Sequence, residues 1–145
     1  MTDVPPPPPP SPTPANYGGP PQPMSNPLVG YFKRVVLEKY ADFSGRARRA
    51  EYWWFTLANV IVDVVLLILA AASNVFFVLL VIYWIALIVP SIAVTFRRLH
   101  DTDKSGWFIL FGFVPFVGGL ILLIFMVLDS THGTNQWGTS EKYPV

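Results

Sequence analysis

The sequence predicts an all-α integral membrane protein with three transmembrane helices, preceded by an interfacial amphipathic helix and a disordered proline-rich N-terminal tail. Three observations lead to this prediction. The 145 residues are 52% hydrophobic and only 13% charged, an unusual balance for a soluble domain. Three apolar runs of 21 or 22 residues follow one another, and about 20 such residues span a bilayer as a helix. A polar stretch at residues 96–107, with five charges and one histidine, separates the last two runs.

The first 27 residues form the predicted tail. They hold 12 of the 15 prolines, including the run Pro5–Pro10, and almost no aliphatic residues to bury. This composition favours a disordered segment of polyproline II character. Two interpretations stay open: a solvated spacer, which is the commoner use of such tails, and a ligand for a proline-recognising partner.

A membrane domain is predicted over residues 28–140, and it begins with an interfacial helix over about 27–43. Asn26 is placed to cap this helix and Pro27 to occupy its first position. Apolar residues recur along it at three- and four-residue steps, which is the pattern of an amphipathic helix. We expect it to lie in the membrane interface, with packing against the polar end of the bundle as the alternative.

The three apolar runs predict membrane spans, which lie over about residues 52–72, 75–96 and 107–128. Aromatic residues begin the first and third spans, as expected for rings at headgroup level. The Ser73-Asn74 turn is short enough to make the first two spans an antiparallel hairpin. Residues 129–145 form a polar C-terminal tail.

The basic residues predict the orientation of the chain. Six of them precede the first span and three lie in the loop before the third, so both regions are expected on the cytoplasmic side. With three spans, the N-terminus is then cytoplasmic and the C-terminus outside. The chain is expected to be a multi-pass protein of a bacterial cytoplasmic (inner) membrane.

Polar residues inside the first two spans form a candidate intramembrane site, which comprises Thr56, Asn59, Asp63 and Trp84. The first three share one face of their helix, and the short turn sets Asp63 opposite Trp84. A carboxylate at this depth needs a partner, so Asp63 is expected to accept a hydrogen bond from the Trp84 indole or the Tyr83 hydroxyl. It could serve as a relay residue of a transporter, or hold helices together within the bundle or a homo-oligomer.

Charged residues at the ends of the spans form a candidate cytoplasmic network, which comprises Arg46, Arg49, Glu51, Arg97, Arg98, His100 and Asp101. The hairpin places Glu51 near Arg97, and we expect them to pair. The network would form a basic face that contacts anionic lipid headgroups or a partner protein.

Several functions are not expected. The net charge of +1 gives no basic excess for nucleic acid. The central loop has one histidine with two nearby carboxylates, which is too few ligands for a closed zinc site, and it lacks the glycine-rich approach of a phosphate loop. We therefore predict no metal, no cofactor and no enzyme activity.

Three motifs give a resemblance to a known family. They are Phe43 to Trp54 (FSGRARRAEYWW), Arg97 to Trp107 (RRLHDTDKSGW) and Gly133 to Gly138 (GTNQWG). In this order they resemble the domain-of-unknown-function 805 family, whose members are small YhaH-like bacterial inner-membrane proteins. Asp103 stands where the family usually has a glycine or another small residue, and Trp137 where it often has tyrosine or phenylalanine. The resemblance implies an inner-membrane location and carries no established activity.

The leading hypothesis is therefore a non-enzymatic membrane protein that acts as a binding or scaffold module through its basic face. The alternative is a small oligomeric transporter or channel that uses Asp63 within the membrane.

Overall fold

A computed structural model describes residues 24–143 of the protein. The tail predicted over residues 1–27 lies almost entirely outside these described residues. Within residues 24–143, two helices are long and apolar enough to cross a membrane: α2, Arg49–Ala72, and α3, Asn74–Asp101. At 1.5 Å per residue they measure about 36 and 42 Å, which exceeds the roughly 30 Å of a hydrocarbon core.

The helices α2 and α3 form the antiparallel hairpin that their short connection predicts. Ser73 alone joins them, and its hydroxyl oxygen accepts a hydrogen bond from the amide of Val75. Membrane-length helices thus lie where the first two spans are predicted, and both helices extend further into the polar end than expected. Pro90 lies inside α3, where its ring removes one backbone donor.

The third apolar run is not one helix. Its first part is a 3-10 helix, Gly106–Phe113, and its second part is α4, Gly118–Val127. Residues 114–117 turn the chain between these limbs, with Phe116 at a φ of 66° and fully exposed. The rings of Phe108 and Phe125 lie 5.8 Å apart across the two limbs, so the limbs fold back on each other.

The single span predicted over residues 107–128 is therefore corrected to a hairpin. Each limb is only about 15 Å long, half the thickness of the hydrocarbon core. Pro115 disfavours a helical conformation in the residue before it, and Val114 is indeed extended at φ −77° and ψ 115°. Gly118 then permits the close return, because a Cβ there would lie 1.8 Å from the carbonyl oxygen of Phe111.

The first helix, α1, spans Pro27–Lys33 and begins as the sequence predicts. The Asn26 side chain accepts a hydrogen bond from the amide of Val29. The chain continues as a π-helical turn over Arg34–Glu38. The helical segment thus ends at residue 38, short of the predicted end near residue 43.

This segment packs against the hairpin of α2 and α3. Val35 is completely buried in a small core with Ala47, Phe55 and Val94, and the rings of Phe32 and Phe55 stack at 5.9 Å. The contacts correspond to the alternative expected from the sequence, in which the segment packs against the polar end of the bundle.

Residues 129–143 fold onto the end of the molecule where α2 begins and α3 ends, which we call the charged end. Two short strands, β1 Thr134–Asn135 and β2 Gly138–Thr139, pair antiparallel. The amide of Thr131 donates to the carbonyl oxygen of Asp101, the last residue of α3, at 2.9 Å. The prediction that the C-terminal tail lies on the opposite side of the membrane from the central loop is wrong for these residues. The cause is the hairpin of the third run, which returns the chain to the end from which it started.

Candidate functional site

The side chain of Arg46 ties three parts of the chain together. Its Nε donates to Oδ1 of Asp101 at 3.0 Å, and its Nη2 to the Asp101 carbonyl oxygen at 3.1 Å. Its other donors reach the C-terminal segment at the carbonyl oxygens of Thr131 (2.6 Å), Gly133 (2.9 Å) and Gly138 (3.3 Å). Arg46 is 4% exposed, so its charge has left water but is well hydrogen-bonded, as a buried guanidinium requires.

The loop that carries Arg46 is itself fixed to the end of α3. Gly45 adopts a φ of 72°, a left-handed conformation that suits glycine. The amide of Ala47 then donates to the carbonyl oxygen of Arg97 at 2.9 Å. These two features set the position from which Arg46 reaches Asp101.

Arg98 joins the same carboxylate to the end of α4. Its Nη1 donates to Oδ2 of Asp101 at 2.6 Å and its Nε to the carbonyl oxygen of Met126 at 3.2 Å. Its Nη2 donates to the carbonyl oxygen of Leu128, and the hydroxyl of Ser130 donates to Asp101. The last carbonyls of a helix lack intrahelical donors and carry the negative end of its dipole. Arg98 therefore stabilises the end of α4.

A second series of charges runs beside the first. Arg97 donates to Glu51, and both side chains are fully buried. Nε of Arg34 lies 3.7 Å from Oε2 of Glu51, and Arg34 donates through Nη2 to Glu141. Burial by itself lowers the pKa of Arg34, but the carboxylates of Glu51 and Glu141 more than offset it and raise that pKa above its ordinary value. The series links α3, α2, the π-helical turn and the C-terminal segment.

His100 is covered by the same C-terminal segment. Its ring stacks on Trp137, with centroids 4.5 Å apart and planes at 6°. Nδ1 of His100 lies 3.1 Å from the carbonyl oxygen of Gly45 and must donate to it. The side chain of Asn135 donates to the carbonyl oxygen of His100 at 2.9 Å. His100 thus serves here as a packed, hydrogen-bonded side chain, and among residues 24–143 no group of three or more histidine, aspartate or glutamate residues could hold a metal ion.

The predicted charge network is thus brought together, but it does not form a surface. Six of its seven members are buried, and only Arg49 keeps an exposed side chain. The buried members are Arg46, Glu51, Arg97, Arg98, His100 and Asp101. The sequence places these charges at one membrane face, but the C-terminal segment and the π-helical turn cover them.

Asp129 lies at the edge of the network, where it remains exposed. Nζ of Lys142 lies 2.6 and 2.7 Å from its two carboxylate oxygens, and Nη2 of Arg49 lies 3.3 Å from Oδ1. The hydrogen bond from Lys142, with one from the amide of Ser130, lowers the pKa of Asp129 to about 2. This carboxylate therefore stays charged in the folded protein well below its ordinary titration range.

The intramembrane polar residues pair across α2 and α3. Nε1 of Trp84 donates to Oδ1 of Asp63 at 3.0 Å, which is one of the two contacts expected for Asp63. The Tyr83 hydroxyl instead donates to Oδ1 of Asn59 at 2.8 Å. Thr56 does not join them, because its hydroxyl donates to the carbonyl oxygen one turn earlier in α2.

Several members of the charged site lie outside the network that the sequence predicts. Arg34 and Glu141 extend the second series of charges, and Ser130 and Thr131 hydrogen-bond to the first. In this region the sequence offers the motif GTNQWG at residues 133–138. The motif indicates a resemblance to a family but does not predict that Trp137 stacks on His100.

These features define a helical integral membrane protein with a buried ion-pair cluster at one end. The chain belongs to the family described as "Protein of unknown function (DUF805)", which matches residues 40–139. It is 44% identical over 109 residues to Inner membrane protein YhaI of Escherichia coli K12, covering 74% of this chain and 92% of that protein. It is 43% identical over 112 residues to Inner membrane protein YhaH of the same strain, covering 74% and 93%. No solved structure matches the chain.

Proposed function

We propose that this protein is a non-enzymatic module of the bacterial cytoplasmic membrane whose charged end contacts anionic lipid headgroups. One observation leads to this function. Among the described residues, seven of the chain's ten lysines and arginines pair with four carboxylates at one end of the structure, and the other three, Lys33, Arg48 and Lys104, belong to α1, the start of α2 and the loop after α3 at that end. The alternative is contact with a partner protein at the same end, and the experiment below distinguishes lipid contact from it.

The same distribution gives the proposed orientation. Basic residues near membrane spans favour the cytoplasmic side, so the charged end is assigned to the cytoplasm and Ser73 to the outside. The helices α2 and α3 cross the bilayer, and the hairpin of residues 106–127 enters and leaves at the cytoplasmic face. The N-terminal region, the central loop and residues 129–143 then share that face.

The cations that remain accessible define the lipid contact. Lys33 and Arg49 expose their side chains, and Lys104 follows α3 at the membrane face. Each basic residue near an anionic surface contributes about 1 kcal/mol. Arg46, Arg97 and Arg98 are buried and act indirectly, by fixing the elements that present these cations.

The experiment measures lipid preference through the five tryptophans of the chain. The protein is placed in mixed bilayers where either phosphatidylglycerol or phosphatidylcholine carries brominated acyl chains that quench tryptophan fluorescence. Brominated phosphatidylglycerol should quench more strongly, and about 0.5 M salt should reduce the difference by screening. The pair Lys33→Gln and Lys104→Gln should also reduce it.

The matched control removes negative charge from the same end. Glu38→Gln with Asp103→Asn should increase the preference for phosphatidylglycerol, since Glu38 lines the same surface groove as Lys33 and Asp103 directly precedes Lys104. Equal quenching by the two lipids in the wild type would contradict the function. A preference that neither pair of substitutions changes would show that Lys33 and Lys104 do not make the lipid contact. Equal quenching would leave contact with a partner protein as the alternative.

A second candidate is a small oligomeric transporter or channel. A groove of about 390 Å³ lies beside the intramembrane polar residues and is lined by Asn59, Asp63, Trp84, Leu87, Ile88, Ser91 and Ile92. An acidic residue at this depth is expected to face protein or water, so a second copy of the chain could cover the groove. Asp63→Asn should abolish proton-coupled flux in vesicles if this candidate holds, whereas Asp103→Asn should not.

A further inference from the structure

A groove runs between the first turns of α2 and the end of α4. It has a volume of about 460 Å³ and is lined by Arg49, Ala50, Trp53, Trp54, Leu57 and Val127. Arg49, Trp53 and Leu57 are four residues apart and share one face of α2. Along about 12 Å of helix the groove therefore passes from a guanidinium, through indole rings, to an aliphatic side chain.

The walls of this groove suit lipid rather than water. Leu57 is 45% and Val127 52% exposed where they line the groove. Nε1 of Trp53 donates to the carbonyl oxygen of Met126 at 3.3 Å, which holds one indole between the two helices. Because α2 crosses the bilayer in the proposed orientation, the molecules that reach this surface are lipids.

The charges at the polar end of the groove favour an anion. Nη2 of Arg49 lies 3.3 Å from Oδ1 of Asp129, and Nη1 of Arg49 donates to the carbonyl oxygen of Val127, also at 3.3 Å. Asp129, however, is held more closely by Lys142, and exposed ion pairs of this kind contribute little. Behind it, Arg46 and Arg98 share the single carboxylate of Asp101. The carboxylates of Asp101 and Asp129 are therefore surrounded by four cations, Arg46, Arg49, Arg98 and Lys142. The side chain of Arg49 is 42% exposed beside the groove.

We propose that this groove binds one anionic phospholipid. Its phosphate contacts Arg49, its glycerol region lies against the rings of Trp53 and Trp54, and the start of one acyl chain follows Leu57 and Val127. The order of side chains along α2 is the order in which a phospholipid presents these groups. The inference rests on the proposed function and adds to it a defined site with a single occupant.

The test is native mass spectrometry of the full chain, released from bilayers that contain equal amounts of phosphatidylglycerol and phosphatidylcholine with the same acyl chains. The wild type should retain one phosphatidylglycerol. Arg49→Gln should lower its retention about tenfold through loss of a charge-assisted contact, and Arg49→Lys should restore part of it. Leu57→Ala should weaken retention of both lipids alike, since it removes apolar contact only.

Lys39→Gln is the matched control, because Lys39 lies outside the lining of the groove, pairs with Glu141 at 3.9 Å and is not one of the cations assigned to the lipid contact. It should leave the retained lipid unchanged. Equal lipid retention by Arg49→Gln and the wild type, in protein of unchanged thermal stability, would reject lipid binding in the groove. The preference for phosphatidylglycerol measured by quenching would not be contradicted by that result. Loss of both retention and quenching preference would overturn the proposed function as well. Retention of phosphatidylcholine at the same level, or a second copy in place of lipid, would also reject the site.

Discussion

The hydroxyl of Tyr40 donates a hydrogen bond to the backbone carbonyl oxygen of Ala86, at 2.6 Å. In an unbroken α-helix that carbonyl would accept from the amide of residue 90, four positions later. Residue 90 is proline and has no amide hydrogen. Tyr40 thus supplies the donor that Pro90 removes, and it links the segment after the π-helical turn to the apolar part of α3.

Tyr40→Phe should therefore destabilise the protein by about 1 kcal/mol, because an acceptor in an apolar setting loses the hydrogen bond from the Tyr40 hydroxyl. Pro90→Ala restores the amide donor to the helix. In that background Tyr40→Phe should cost less, and the difference is measured by thermal unfolding in a double-mutant cycle. Equal costs in both backgrounds would show that Tyr40 and Pro90 are not coupled.

Arg46 is the residue on which attachment of the C-terminal segment depends most. Arg46→Ala removes five donors to Asp101 and residues 131–138 and leaves Asp101 with less compensation. Breaking a buried pair in this way costs about 3 to 5 kcal/mol. We expect limited proteolysis to cleave between residues 129 and 143 in this variant at a protease level that spares the wild type.

Arg46→Lys should be cleaved nearly as readily as Arg46→Ala, since an ammonium cannot reproduce the planar fork of a guanidinium. Arg48→Gln is the control, because Arg48 contacts Tyr31 instead of the C-terminal segment. Unchanged cleavage in Arg46→Ala would mean that the segment is held by other contacts.

Glu51 and Arg97 form a fully buried ion pair. The losses of stability caused by substituting each of them should therefore not add. Glu51→Gln or Arg97→Met alone leaves one charge buried and should cost about 3 to 5 kcal/mol. The double variant should be no less stable than the worse single variant. Chemical unfolding in detergent measures all four proteins, and strictly additive costs would argue against the pair.

The hairpin of residues 106–127 makes a prediction about topology. The chain has no cysteine, so single cysteines can be introduced without a background signal. Gln136→Cys and Lys33→Cys should react with an impermeant maleimide from the same side of the membrane, and Ser73→Cys from the other side. Labelling of Gln136→Cys together with Ser73→Cys would instead support a third full span.

The pKa of Asp129 predicts how acid affects the C-terminal segment. The hydrogen bond from Lys142 lowers this pKa to about 2, from an ordinary value of 3.8. A carboxyl group with a lowered pKa contributes stability above its unfolded pKa, and that contribution is lost as pH falls toward the folded one. The protection of residues 129–143 against hydrogen exchange, relative to the intrinsic exchange rate at each pH, should therefore fall between about pH 4 and pH 2, and Asp129→Asn should remove this step. Because the pair is exposed, the effect at neutral pH should be small.

The two pairs predicted across the hairpin, Asp63 with Trp84 and Glu51 with Arg97, are present in the structure. Both follow from one local fact, the short turn at Ser73, which fixes which residues of α2 and α3 face each other. Arg34 and Glu141 could not be placed in this way, because they are 107 positions apart and meet only through the packed ends of several elements.

The sequence alone determined the features that depend on neighbouring residues: the apolar length of α2 and α3, the start of α1 at Asn26, and the concentration of cations at one end. Only the tertiary structure decided the course of residues 107–128, since Pro115 and Gly118 permit either a kinked span or a return. That decision also placed the C-terminal segment over Arg46 and buried the charges expected at the surface. The burial and pairing of these charges depend on contacts between segments that are far apart in the chain. The apolar periodicity of the sequence does not show which of these segments meet.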